Sequence, residues 1–461
     1  MRYSRILALI TAMILLIVCL CGCSETPSQG GTVTTTTAGV EDEGATTTTT
    51  DTAFSAQQEH TTVSTSTSDA VSTVTTTAKS KDATDKEKAT TTGKVNTTQK
   101  QTTTVAMTTT TVQTTVATTT TQPPVKTALK PLSPDEYYGY NILKKDPNGT
   151  LLTNLYQYFV AEADKMETNI KLDGISTSLT VEQVKKVWNY YLLDYPQHFW
   201  VDNGFNYTTV DNAVTELQPL YSMTNAERQF AQLEFDEVVN SLLSDISGSW
   251  SDYQRELAVH DALCNRVTYR DDGITSHNAY GALVNKNAVC EGYAEAFQYL
   301  MYQCGIQCLG VFGTAGTEQH KWNIVYVDGV YYDIDVTWDD PVVAQGGALV
   351  AHTYFNLSDA ILFRDHDATD ERNYPLPHCE SMDENYYVMQ GVWLHDFSEE
   401  AIAKAIQKYG NNVEIYLDGH TANEFSSWLK EHWKSIRTLS GTEYRGYSLA
   451  SIGKNVILKL K

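Results

Sequence analysis

Residues 320–338 read HKWNIVYVDGVYYDIDVTW, two apolar-rich runs on either side of Asp328-Gly329. That dipeptide suits the positive φ values of a two-residue hairpin turn. With the turn at those two residues, Val327 faces Val330, Trp322 faces Asp335 and His320 faces Thr337. Side chains alternate along a strand, so His320, Trp322, Asp335 and Thr337 share one face. His320 and Asp335 become diagonal neighbours roughly 7–8 Å apart at the backbone, a gap that two side chains close with a hydrogen bond. Asp333 has the same parity, so register, and not side, selects Asp335. The other face carries Val325, Val327, Val330, Tyr332, Ile334, Val336 and Trp338 and reads as core. The hairpin thus offers a His–Asp pair on one side, and a carboxylate beside an imidazole fixes its tautomer and raises its basicity.

The matching nucleophile lies upstream, in Ala288-Val289-Cys290-Glu291-Gly292-Tyr293-Ala294. From Cys290 the pattern turns helical, with Tyr293, Ala294, Phe297, Leu300 and Met301 on one face and Gly305 as the stop. A thiol opening a helix meets unpaired backbone N–H groups and the positive end of the dipole, which favour the thiolate. The same N–H groups suit an oxyanion. The helix start is expected to pack on the His face of the hairpin. Asn278, Tyr280 and Trp322 are candidate oxyanion or substrate neighbours, with packing as their plainer role. Read singly, Cys290 is an inert buried thiol and His320 a structural histidine. Read together, they and Asp335 form a nucleophile, base and orienter set.

On these residues the stretch 256–375 resembles the transglutaminase-like superfamily, in the form found in secreted bacterial lipoproteins. Val289-Cys290-Glu291-Gly292-Tyr293-Ala294 is similar to its nucleophile motif, His320-Lys321-Trp322-Asn323 to its His motif, and Asp335-Val336-Thr337-Trp338-Asp339-Asp340-Pro341 to its Asp motif. His352-Thr353-Tyr354-Phe355-Asn356 resembles a companion motif. The resemblance implies an α+β, papain-like core with an antiparallel sheet and a nucleophile helix. It implies that Cys290 attacks a carboxamide or peptide carbonyl, His320 serves as base and then acid, and Asp335 orients His320. An amine or water then resolves the thioester. The family includes cross-linking enzymes, peptidases, amidases and members that have lost catalysis, so a catalytically silent binding or scaffold protein is the alternative. No cofactor is implied. Calcium, used by some relatives, finds no recognisable site, and no metal site is expected.

The N-terminus reads as export machinery. Arg2 and Arg5 precede an apolar stretch from Ile6 to Leu20, short for a membrane span of about 20 residues and suited to a signal peptide over 1–22. Leu20-Cys21-Gly22-Cys23 resembles a lipobox, with Cys23 the lipidated residue. An ordinary cleaved signal peptide is the alternative. Residues 23–132 hold Thr runs at 34–37, 46–50, 108–111 and 118–121. Their low apolar content predicts a disordered, Thr-rich stalk, stiffened by Pro123, Pro124 and Pro131. The expected location is the outer face of a bacterial cell membrane, held by the lipid anchor, with an extracellular protein, peptide or cell-wall peptide as substrate. The formal net charge is -23, and no Lys/Arg cluster is present to neutralise phosphates, which excludes a nucleic-acid partner.

Residues 133–255 predict a mainly helical segment. Ser133-Pro134-Asp135-Glu136, Thr180-Val181-Glu182-Gln183 and Thr224-Asn225-Ala226-Glu227 are helix-start signatures, and Phe199–Val201 and Phe205–Tyr207 read as short strands between helices. Ser251 is a further cap. Residues 365–379, with Pro375 and Pro377, read as a polar surface loop. A small α/β domain over 385–461 reads β-α-β-α-β-β, starting with a strand at 386–389. Beyond the signal and Cys23, five cysteines remain: Cys264, Cys290, Cys304, Cys308 and Cys379. Their odd number suggests one free thiol and possible pairs among the rest, with disulfide formation left open, and their spacings do not fit a zinc site.

Overall fold

The computed structural model describes residues 32–38, 47–53, 126–341, 350–368, 375–452 and 455–461, the first two stretches by backbone alone. The signal segment, Cys23 and most of the Thr-rich stretch lie outside the described residues. Part of the stretch read as stalk forms strands β1 (Thr32–Ala38) and β2 (Thr47–Ala53). Low apolar content argues against a private core, but a backbone ladder needs no apolar side chains, and β-branched threonine suits an extended chain. The folded part also begins before Ser133. Gly248 N donates to Thr127 O, and Leu132 N donates to Tyr302 O, each at 2.9 Å.

Helices α1 (Tyr138–Lys144), α2 (Gly149–Asp164) and α3 (Val181–Asp194) follow. The Ser133 signature caps only a 3-10 turn, Pro134–Glu136, whereas the Thr180 capping box is formed in full at α3. A three-stranded sheet interrupts the helices: β3 (Ile170–Lys171), β4 (Val201–Val210) and β5 (Ala213–Tyr221), in the order β3-β5-β4. The two short strands expected near residue 200 are one long strand in a hairpin. Its turn is Asp211-Asn212, both at positive φ (47° and 67°). Most of β4 is exposed, so it lacks the apolar alternation by which strands are read.

Two capped helices come next, α4 (Asn225–Leu242) and α5 (Asp252–Cys264). After them come β6 (Thr268–Tyr269), β7 (Asn287–Ala288) and the helix that opens on the candidate nucleophile, α6 (Cys290–Gln303). Strands β8 (Cys308–Ala315), β9 (Glu318–Val327) and β10 (Val330–Ile334), the short helix α7 (Asp359–Leu362) and β11 (His366–Asp367) complete this part. The four strands form an antiparallel sheet in the order β10-β9-β8-β11. The helical segment and this α+β region share one hydrophobic core running from Tyr137 to Cys379.

A second core gathers Tyr387 to Leu460. It is built by α8 (Tyr386–Gln390), β12 (Trp393–Leu394), α9 (Glu399–Tyr409), β13 (Asn412–Leu417), α10 (Ala422–Ser440), β14 (Tyr447–Ile452) and β15 (Asn455–Leu460). The run at 386–389 is a helical turn and not a strand. Asn385 accepts from the N–H groups of Tyr387 and Val388, and Gly391 ends the turn at φ 70°, a cap at each end. Its sheet has the order β12-β13-β15-β14-β1-β2. Among the described residues no helix is long and apolar enough to cross a membrane. None of the five described cysteines is in a disulfide, which answers the question that the sequence left open.

One buried carboxylate ties the N-terminal helices together. Asp194, at the end of α3, accepts from Gly139 N at 2.9 Å, Tyr140 N at 2.8 Å and the Tyr156 hydroxyl at 2.7 Å. Removing it orphans three donors in a dry setting, each costing about 1–3 kcal/mol. Asp194→Ala is expected to destabilise the folded region by about 3 kcal/mol or more, read as a lower urea midpoint at unchanged m-value. A loss under about 1 kcal/mol would mean that water replaces the carboxylate.

Candidate active site

The hairpin has the register read from its turn. Val330 pairs with Val327 and Ile334 with Asn323. Beyond Ile334 the chain leaves β9, and Asp335 N donates instead to Tyr354 O at 3.1 Å. The diagonal contact survives that departure. His320 Nε2 donates to Asp335 Oδ2 at 2.7 Å. The other oxygen, Oδ1, accepts from the backbone N–H groups of Thr337 at 2.9 Å and Trp338 at 3.2 Å. Asp333, the residue of equal parity, is engaged elsewhere and accepts from Trp322 Nε1 at 3.1 Å. Burial pushes its carboxyl up to about 8, so it keeps its proton at neutral pH.

A second histidine completes the cluster. His366, in β11, donates from Nε2 to the same Asp335 Oδ2 at 3.2 Å, and its Nδ1 lies 2.7 Å from Asp365 Oδ1. It is buried (4 % exposed), which corrects the reading of 365–379 as polar surface. The missed signal was a lone His between two acidic residues, unreadable without knowing that β11 pairs with β8. Gly313, opposite His320, makes that pairing possible: a Cβ there would collide with the Asp367 carbonyl and the Trp322 ring. Trp322 stacks on His320 with ring centroids 6.2 Å apart, while Trp338 and Tyr354 pack on His366 at 4.7 and 5.5 Å.

Asp335 is fully buried. Burial pushes its carboxyl up, but the charge and hydrogen bond of His320, joined by those of His366, hold it well below the usual carboxylate range. For His366, burial pulls the imidazole down, and the hydrogen bonds to Asp335 and Asp365 overcome it and carry the ring up to about 9.

Cys290 opens α6 as expected. Val289, its N-cap, is extended and offers no side-chain acceptor to the first turn. Gly292 lets that turn nest closely, since a Cβ there would meet the carbonyls of Ser276 and Asn278 at 2.6 and 3.0 Å. The body of α6 does not lie on the His face. Asn323 Nδ2 donates to Ala294 O at 3.1 Å, and Lys321 Nζ lies 2.9 Å from Glu295 and 3.5 Å from Glu291. The helix therefore covers the face of Lys321 and Asn323, because the His face is already filled by Trp322, His366 and Trp338, the last read as core on the opposite face but brought here where the chain leaves β9. The Lys321–Glu291 pair joins the residue after His320 to the residue after Cys290.

The other candidates have structural partners. The Tyr280 hydroxyl donates to Glu234 at 2.7 Å, and its ring lies 4.9 Å from Phe199. Asn278 accepts from Gly281 N at 3.2 Å and donates to Phe199 O at 3.4 Å. It also lines an open cleft with His277, Ile274, Glu291 and Glu295. Trp322 is buried behind His320.

Residues 240–336 match the family described as the transglutaminase-like superfamily. This stretch is a transglutaminase-like core. The chain is 25% identical to the kyphoscoliosis peptidase of Homo sapiens over 172 residues, 33% of this chain and 25% of that protein. It is 25% identical to the Mus musculus counterpart over 168 residues, 32% and 25% of the two chains. The chain thus spans about a quarter of the length of the curated relatives it matches. A crystal structure of a TGase aligns with 35% of this chain and 48% of its own, at 13% identity and a TM-score of 0.22.

The raised pKa of His366 has a pH signature. Its folded value, about 9, lies above the ordinary 6.5, so its contribution to stability is complete below about 6.5 and is lost as pH rises through 9. The His366 ring protons are expected to titrate near 9 by NMR, and Asp335→Asn is expected to lower that midpoint by more than one unit. An unchanged midpoint in Asp335→Asn would sever the link between the two groups.

Proposed function

We propose that the chain is an extracytoplasmic thiol enzyme that acts on amide bonds through Cys290, His320 and Asp335. The observation that carries this reading is the 2.7 Å bond from His320 Nε2 to a fully buried, ionised Asp335. It holds the imidazole in one tautomer, with Nδ1 as the nitrogen for a thiol. The Cys290 sulfur attacks the carbonyl carbon as His320 takes the thiol proton. The helix-start N–H groups receive the negative oxygen. The C–N bond breaks as His320 returns the proton to the departing amine or ammonia, leaving a thioester. An incoming amine or water then loses a proton to His320, the C–S bond breaks, and the proton goes back to sulfur. The peptidases among the matched relatives favour peptide or protein substrates, with an extracellular or cell-wall peptide as the expected class. The chain is held at the outer membrane face through a lipid on Cys23.

The cysteines make a clean assay. Cys264, Cys304, Cys308 and Cys379 are all buried, and burial pushes each thiol up, Cys304 to about 12. Cys290 is the most exposed of the five at 6 %. Iodoacetamide at mildly acidic pH is expected to label Cys290 first, and Asp335→Asn to slow that labelling. A peptide or glutamine-protein substrate is expected to leave an acyl adduct on the wild type and none on Cys290→Ala. Turnover in Asp335→Asn is expected to fall by about 10²–10⁴-fold. A folded chain that neither labels selectively nor acylates with any amide donor is the silent scaffold instead. Mass spectrometry of the mature N-terminus is expected to find a diacylated Cys23; an unmodified one removes the anchor.

A further inference from the structure

Away from Asp335, a second pair of imidazoles converges on one carboxylate oxygen. His260 and Asp261 come from α5, and His352 comes from the segment before α7. His260 Nδ1 lies 3.0 Å and His352 Nε2 lies 2.9 Å from Asp261 Oδ1. The ligand-type atoms of the three residues all lie within 4.8 Å of one another. The histidine side chains are 0% and 7% exposed, while Asp261 is 43% exposed and opens the cluster to solvent.

The outer nitrogens supply the second observation. His260 Nε2 lies 3.3 Å from Asp339 Oδ2, and His352 Nδ1 lies 3.5 Å from Glu414 Oε2. A carboxylate behind each ring is the usual support of a metal-binding histidine, fixing the tautomer and strengthening the ligand. The ring centroids lie 5.2 Å apart in a mostly buried place, and a divalent cation there would balance the acids that surround them. Two imidazoles and a carboxylate are a zinc donor set, with distances of about 2.0–2.2 Å and a fourth position left open.

We propose that His260, Asp261 and His352 form a zinc site, open toward solvent beside Asp261, that fastens α5 to the segment before α7 and, through Glu414, to β13. It uses none of the five cysteines and is separate from the His320–Asp335–His366 cluster, whose carboxylate is wholly enclosed. The site was not expected from sequence, because His352 lies 91 residues from Asp261.

The full chain, stripped of metal, is titrated with Zn²⁺ by calorimetry and with Co²⁺ as a spectroscopic probe. The expected result is one ion bound, with proton release, and a visible cobalt band without thiolate charge transfer. Asp261→Asn and His352→Gln are each expected to weaken binding at least 100-fold. Glu414→Gln is expected to weaken it by about 10–100-fold, while His320→Gln leaves it unchanged. Circular dichroism verifies each fold; if His352→Gln does not fold, the near-isosteric Asp261→Asn carries the comparison. The proposal is overturned by no binding, by a thiolate–cobalt band, or by binding that His320→Gln removes and Asp261→Asn does not.

Discussion

The transglutaminase-like core depends on one carboxylate kept ionised where water cannot reach it. Asp335 accepts four hydrogen bonds, two from backbone N–H groups and two from imidazoles. An isolated buried carboxylate would take up a proton; this one keeps its charge because donors surround it. The hairpin register, the departure of the chain from β9 after Ile334, the loop through Tyr354 and the pairing of β11 on β8 all serve to deliver those donors.

The two faces of β9 divide the labour. One holds the imidazoles among Trp322, Trp338 and Tyr354. The other binds α6 through Lys321 and Asn323. A sheet buried on both sides needs few exposed positions, and this explains why Lys321 is 5 % exposed yet paired with Glu295 and Glu291. The second core is a separate cluster, joined to this arrangement by His352–Glu414 and Arg364–Asp418 among other contacts.

Much of this was legible in the sequence where local rules act alone. Asp328-Gly329 determined the register, and the register determined which acid meets His320. The capping boxes at Thr180, Thr224 and Ser251 appear where Ser/Thr and Glu/Gln are spaced by three. What escaped was non-local. His366 acquires its meaning only when β11 lies beside β8, and the face chosen by α6 follows from which side the tryptophans fill. The hairpin at 201–221 was read only in part, because its outer strand is mostly exposed and its apolar residues mark no continuous period. Residues 386–389 look like a strand by composition, but Asn385 and Gly391 cap them as a helix.

The described cysteines carry a last consequence. None of the five is in a disulfide, so the packing of the described residues needs no oxidising surroundings. Four of the sulfurs are sealed in the interior as protonated thiols, and oxidant chemistry requires the thiolate and access. On the proposed reading of Cys290 as the activated thiol, peroxide acts first there and converts it to a sulfenic acid.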